Sequence, residues 1–235
     1  MVRRQRLVPE AKEGWAGPRF ELEQADAKGI ELLKWLWADR LGRGIVNNLQ
    51  GDPGDGKSVI SIDIAARVST GADFPDGAKC TAGNVIILSG EDSLKNTINA
   101  RLKAAGAEHS AVNVWAVDRK HRESAPCFPR DIEQLRRLIE ADQVALVIID
   151  PLENFLDDDL DPNSNPSIRK VLSSLAWLAH STDTCVLIIR HLSKDPKIVK
   201  AKYRGSGSIA ITGAARSNWH AGRIRRTPHP KFSLR

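Results

Sequence analysis

The fold class that this sequence predicts is α/β, with a mainly parallel sheet covered by helices on both faces. Three observations carry it. Residues 84–89 (NVIILS), 144–149 (VALVII) and 184–189 (TCVLII) are apolar throughout rather than alternating, as strands buried on both faces are. The segments between them place apolar residues at helical spacing, so strand and helix alternate. A glycine-rich turn, Gly51-Asp52-Pro53-Gly54-Asp55-Gly56-Lys57-Ser58, stands between a strand signal and a helix signal.

In chain order, residues 1–20 mix Arg, Glu, Gly and Pro without periodicity and read as a mobile basic arm. Residues 29–41 (GIELLKWLWADRL) form an apolar packing segment holding Trp35 and Trp37. Residues 44–50 read as a short strand, and 58–70 as a helix that closes at Gly71. After the strand at 84–89, residues 93–105 read as a helix closed by Gly106, with Asp92 as its cap. A short strand is expected at 112–117 and an amphipathic helix at 131–141. Asn165 and Pro166 supply a cap and a first-turn proline for a helix whose apolar face is Ile168, Val171, Leu172, Leu175 and Leu178.

The totals set bounds. At 235 residues, the chain buries one sizeable core rather than two. With 41% hydrophobic and 27% charged residues it has an ordinary globular composition. No apolar run approaches a membrane span, and the basic start, Met1 to Arg6, lacks the apolar stretch of a secretory signal. Cys80, Cys127 and Cys185 form no C-x-x-C pair, which argues against a zinc site or a disulfide framework and for a reducing cytoplasm. The net charge of +6 permits nucleic-acid binding, although much of the excess lies at the two ends.

The glycine-rich turn fits G-x-x-x-x-G-K-[ST], whose chemistry is phosphate binding. Gly51, Gly54 and Gly56 allow backbone conformations in which successive N–H groups converge on an anion at a helix N-terminus. Residues Asp52, Pro53, Gly54, Asp55, Gly56, Lys57, Ser58 and Val59 are thus expected to cradle a nucleoside triphosphate. Lys57 would reach the β- and γ-phosphates, and the Ser58 hydroxyl would ligate Mg²⁺. Either Trp35 or Trp37 is a candidate to stack on an adenine ring.

Hydrolysis needs further groups at the carboxyl ends of the strands, where ligands bind parallel sheets. Asp150 ends the 144–149 strand and is the candidate metal carboxylate; the alternative is an aspartate that only ends a strand before Pro151. Because Pro151 rather than a glutamate follows it, the base must come from elsewhere. Glu91, just past the 84–89 strand, is preferred over Glu153, which sits in a loop without fixed direction. His191 ends the 184–189 strand, either as a γ-phosphate sensor or as a structural histidine. The acidic run 156–161 is not a calcium loop, since Pro162 and Ile168 stand where a glycine and a glutamate belong.

GDPGDGKS, LSGEDSLKNTINARLKAAGA, VALVIIDP, RHLSK and YRGSGSIAITGAARS occur in this order between about residues 35 and 219. Together they resemble the RecA-like AAA-type ATPases related to the RepA hexameric replicative helicases of plasmids, phages and mobile elements. The resemblance implies a RecA-like P-loop core over 21–217, ATP and Mg²⁺ as cofactors, hydrolysis at the subunit interfaces of a homo-oligomeric ring, and single-stranded DNA as a partner. It assigns Lys57 and Ser58 to the phosphate loop, Glu91 to the catalytic glutamate, Asp150 to Walker B and His191 to the sensor. Arg216 is the better candidate for a finger reaching a neighbour's γ-phosphate, and Arg204 the one to face DNA. Residues 194–208, with Lys194, Lys197, Lys200, Lys202, Arg204 and Tyr203, would turn toward the pore; a solvated crossover loop is the alternative.

Two features depart from that pattern. Asn47 and Asn48 lie mid-strand before the phosphate loop, where a buried amide costs roughly 1–3 kcal/mol unless it is hydrogen-bonded. Residues 218–235 are basic, acid-free and proline-broken, and read as a tail with no strand signal, in place of strands that complete the sheet. Three readings therefore stand: a RepA-like DNA motor, a RecA/RadA-type strand-exchange or repair ATPase, and a nucleotide-binding scaffold that hydrolyses poorly. The missing strands favour the last; Glu91, His191 and Arg216 favour an enzyme.

Overall fold

Successive residues of a strand point to opposite faces, so a strand that is apolar throughout needs cover on both sides. The computed structural model, which describes residues 32–116, 125–162, 164–191, 215–223 and 232–234, supplies that cover. The chain divides into Met1–Leu32 and Leu33–Arg235, and every element below belongs to the second unit. In order these are β1 (Trp35–Trp37), β2 (Leu41–Gly42), β3 (Val46–Gly51), α1 (Lys57–Thr70), β4 (Asn84–Ser89), α2 (Asn99–Ala104), β5 (Val112–Ala116), α3 (Ile132–Asp142), β6 (Val144–Asp150), α4 (Asn165–Thr182), β7 (Cys185–His191), β8 (Ser217–Arg223) and β9 (Phe232–Leu234). Beyond the described residues lie the expected arm at 1–20 and the lysine-rich segment 194–208, with Arg204.

The main sheet has the order β5-β4-β6-β7-β3-β8-β9. Each neighbouring pair from β5 to β8 is parallel, and β9 runs antiparallel to β8. The core splits along strand alternation. Leu49, Ile87, Ile148 and Ile189 pack with Ile64 and Val68 of α1. On the other face Ile86, Ile149 and Ile188 pack with Leu135 of α3 and with Val171, Leu175 and Leu178 of α4. An α/β core with a mostly parallel sheet, as predicted, puts the ends of β3, β4, β6 and β7 at one edge.

Three expectations change, and the question of the buried Asn47 amide is answered. Residues 218–223 of the expected tail are instead part of β8 (Ser217–Arg223), paired with β3 from Asn47↔Ser217 to Gln50↔His220. The sheet therefore continues past β3, although a strand so poor in β-branched residues carries little signal of its own. Asn47 is fully buried and fully engaged: its Oδ1 accepts from the Gly42 amide at 3.0 Å and its Nδ2 donates to the Gly42 carbonyl at 3.0 Å. The amide clips the β1–β2 hairpin to the sheet, which removes the cost of burying it. Asp92 caps nothing. Its carboxylate pairs with Arg101, and the expected helix opens as a π-helical turn, Leu94–Ile98, behind an uncapped Ser93. Trp37 is buried, stacked on Phe74 at 4.3 Å and set edge-on to Trp219 at 5.3 Å, so its ring faces are spent on the core rather than left for a base.

Candidate functional site

The phosphate loop joins β3 to α1. Gly54 and Gly56 have φ of 84° and 82°, in the left-handed region where a Cβ is strained. Gly56 also occupies the N-cap of α1, and no side chain caps the helix. The N–H groups of a helix's first turn have no partner within the helix, so this end is suited to an anion.

Lys57 is buried at 4% exposure, and its Nζ donates to the carbonyls of Gly51 at 2.9 Å and Asp52 at 3.0 Å. Burial lowers the ammonium's pKa, while Asp150, Asp55, Asp52 and Glu91 act to raise it. The Asp55 carboxylate accepts the Asp52 amide N–H at 3.1 Å, drawing the loop together.

Asp150, at the end of β6, has its carboxylate close enough to the Ser58 side chain to be influenced by the hydroxyl. Burial raises its carboxyl pKa above the usual range; the Ser58 hydroxyl opposes that rise and the Glu91 charge adds to it. The two expected metal ligands are thus neighbours. Among the described residues no three His, Cys, Asp or Glu side chains converge into a self-sufficient metal centre. The donor set fits Mg²⁺, which commonly takes one or two protein oxygens and completes its octahedron with phosphates and water.

Glu91 follows β4 and stands 3.5 Å from His191 Nε2 at the end of β7. The turn bearing Glu91 is pinned twice: the Gly90 amide donates to the Asp150 carbonyl at 2.8 Å, and Asn154 Nδ2 donates to the Gly90 carbonyl at 3.0 Å. The Glu91 side chain is 57% exposed and can meet water. The rival, Glu153, lies nearby with both carboxylate oxygens shielded from solvent. Burial raises its pKa, against the pull of Arg190 and His191. Of the two candidates, Glu91 is the one whose carboxylate meets solvent at this edge.

Lys57, Ser58, Asp150, Glu91 and His191 therefore share one edge of the sheet. Arg216 does not join them. Its amide donates to the carbonyl of Val46, at the opposite end of β3, some ~16 Å from the phosphate loop at about 3.3 Å per residue. Arg216 is exposed. Asn154, Gln50 and His220 are site neighbours that sequence reasoning passed over, since none belongs to a motif, and Arg190 entered only as the first residue of RHLSK. Only the polar residues in the β3 run hinted at partners.

A family model described as an AAA domain matches residues 17–197. The DNA repair protein RadA of Halalkalibacterium halodurans is 28% identical over 168 residues, covering 69% of this chain and 32% of that protein. RadA of Bacillus subtilis is 23% identical over 164 residues (67% and 31%), and that of Brucella abortus 25% over 187 residues (76% and 35%). The chain spans about a third of the length of these curated relatives. No helix among the described residues is long and apolar enough to cross a membrane. With its phosphate loop on a RecA-like α/β core, the chain belongs to the AAA domain family.

Proposed function

We propose that this chain binds ATP with Mg²⁺ and hydrolyses it in the service of work on DNA. The observation that carries the reading is the convergence of Lys57, the Ser58–Asp150 pair and the Glu91–His191 pair at one sheet edge. Loop amides and Lys57 would hold the phosphates, the ammonium exchanging the Gly51 and Asp52 carbonyls for phosphate oxygens. Ser58 and Asp150 would hold Mg²⁺, which when bound neutralises charge on the phosphates. Glu91 orients a water for in-line attack and accepts its proton. His191, hydrogen-bonding distance or a little more from Glu91, links the γ-phosphate position to the segment that follows β7.

Similarity to RadA favours a DNA repair role among the DNA-dependent readings. The RepA-like helicase reading uses the same site in a closed ring. β8 lies against β3, so the argument from missing strands for a non-hydrolysing scaffold no longer holds. The position of Arg216, far from its own loop, suits a finger that acts on a neighbour.

Glu91→Gln should keep ATP and lose turnover by roughly 10²- to 10⁴-fold, the usual worth of a general base. Mixed with Arg216→Ala subunits, it should recover part of its activity, because one of the two orientations of a mixed interface pairs an intact Glu91 with an intact Arg216. Turnover that single-stranded DNA stimulates separates a DNA motor from a scaffold, and electron micrographs with ATP and DNA separate rings from filaments. An Glu91→Gln chain that turns over ATP at the wild-type rate would sink the assignment.

A further inference from the structure

The amides of β3 and the polar carboxyl end of the chain, both out of keeping with the rest of the sheet, meet in the fold. Partners in parallel register project on the same face. Gln50 is in register with Arg190 of β7 on one side and with His220 of β8 on the other. Its Nε2 lies 2.7 Å from His220 Nε2, and two residues earlier Asn48 Nδ2 donates to Asn218 Oδ1 at 3.0 Å. Gln50 and Arg190 are both fully buried. This row runs one residue before Gly51 and His191, on the opposite face of the sheet.

On the α1 face β8 comes closer still. A Cβ on Gly51 would lie 2.6 Å from the carbonyl oxygen of Ala221, so glycine is required there by the approach of β8. Gly51 is also the residue whose carbonyl holds Lys57. The last parallel strand thus touches two successive residues at the entrance to the phosphate loop, one on each face: Gln50 through His220 and Gly51 through Ala221.

Apolar side chains would attach a neighbouring strand without choosing a register closely, whereas a buried polar pair penalises any docking that leaves it unmatched. We propose that Gln50 and His220 are positioning residues for the phosphate loop, and that through them the docking of β8 responds to bound nucleotide. The inference rests on the ATP-binding reading above. When Lys57 leaves the Gly51 carbonyl for a phosphate, Gly51 is released from one partner while Ala221 still bounds it on the other side. Coupling of this kind is reciprocal, so whatever loosens β8 also weakens nucleotide binding.

Hydrogen exchange of the wild-type chain, read by mass spectrometry across residues 215–223 with and without ATP–Mg²⁺, tests this directly. Exchange should slow about tenfold with nucleotide, and not at all in Lys57→Met. Nucleotide that binds while β8 exchanges unchanged overturns the proposal and leaves ATP binding intact; a wild-type chain that retains no nucleotide defeats both. In titrations, His220→Leu should bind ATP–Mg²⁺ about tenfold more weakly, and His220→Gln, which keeps a hydrogen-bonding group against Gln50, should stay within about threefold of wild type. A purely structural His220 would lower the melting temperature and leave the affinity of the folded chain alone, and that result also overturns the proposal.

Discussion

Replacing Lys57 with methionine separates what the lysine does for ATP from what it does for the fold. The lysine is 4% exposed, and its ammonium is bound by two loop carbonyls at 2.9 and 3.0 Å. Opposite unit charges about 4 Å apart attract by roughly 4 kcal/mol at an effective dielectric near 20. Giving up the two carbonyls returns part of that, about 0.5–1 kcal/mol each for ordinary hydrogen bonds. The net loss in Lys57→Met is then about 2–3 kcal/mol, or roughly 30- to 150-fold weaker ATP binding. Stability should move the other way. Burial lowers the lysine's pKa, so the folded state holds its charge less readily than the unfolded chain does, and the charge costs stability at neutral pH. Methionine has similar length and no charge, and should leave the ligand-free melting temperature equal or higher. Isothermal titration with ATP–Mg²⁺ and calorimetric melting give the two numbers. Affinity within threefold of wild type would refute the site, and a sharply lower melting temperature would refute the electrostatic account.

Two further substitutions probe its surroundings. Asp150→Asn should raise the melting temperature at neutral pH and abolish Mg²⁺-dependent turnover: with a folded pKa raised chiefly by burial, the aspartate's stabilising contribution is full only when protonated and fades as pH rises through the folded value. The gain should vanish when melts are repeated below the ordinary carboxylate range, and a constant gain across pH would contradict it. Asn47→Leu leaves the Gly42 amide and carbonyl without their side-chain partner and should destabilise by about 2–3 kcal/mol in denaturant titrations, while a change under 0.5 kcal/mol would show that the clip contributes little.

Much of the site was legible because its chemistry is local. A strand, a turn rich in glycine and a helix, contiguous in the chain, suffice to build a phosphate cradle, and Gly54 and Gly56 take the left-handed conformations that the motif requires. Asp150 and His191 were legible for a related reason: each ends an apolar run, and parallel strands bring such ends to one edge. Asp92 was misread because a cap and an ion-pair partner look alike in sequence, and Arg101, which decides between them, lies nine residues on. The difference in exposure between Glu91 and Glu153 is not encoded in residue order: one carboxylate meets solvent and the other is closed off beside Arg190.

The sequence by itself determined the α/β class, the phosphate loop and the strand ends that surround it, since each depends on composition and spacing within a few turns of chain. Only the tertiary structure decided what the amides of β3 are for and where the chain's polar end goes. Asn48 meets Asn218, and Gln50 meets His220, across 170 residues of sequence. The apolar face of β8 is only Trp219 and Ala221, too short a period to announce a strand; the other face is a row of hydrogen-bonding groups whose partners on β3 only the fold brings alongside.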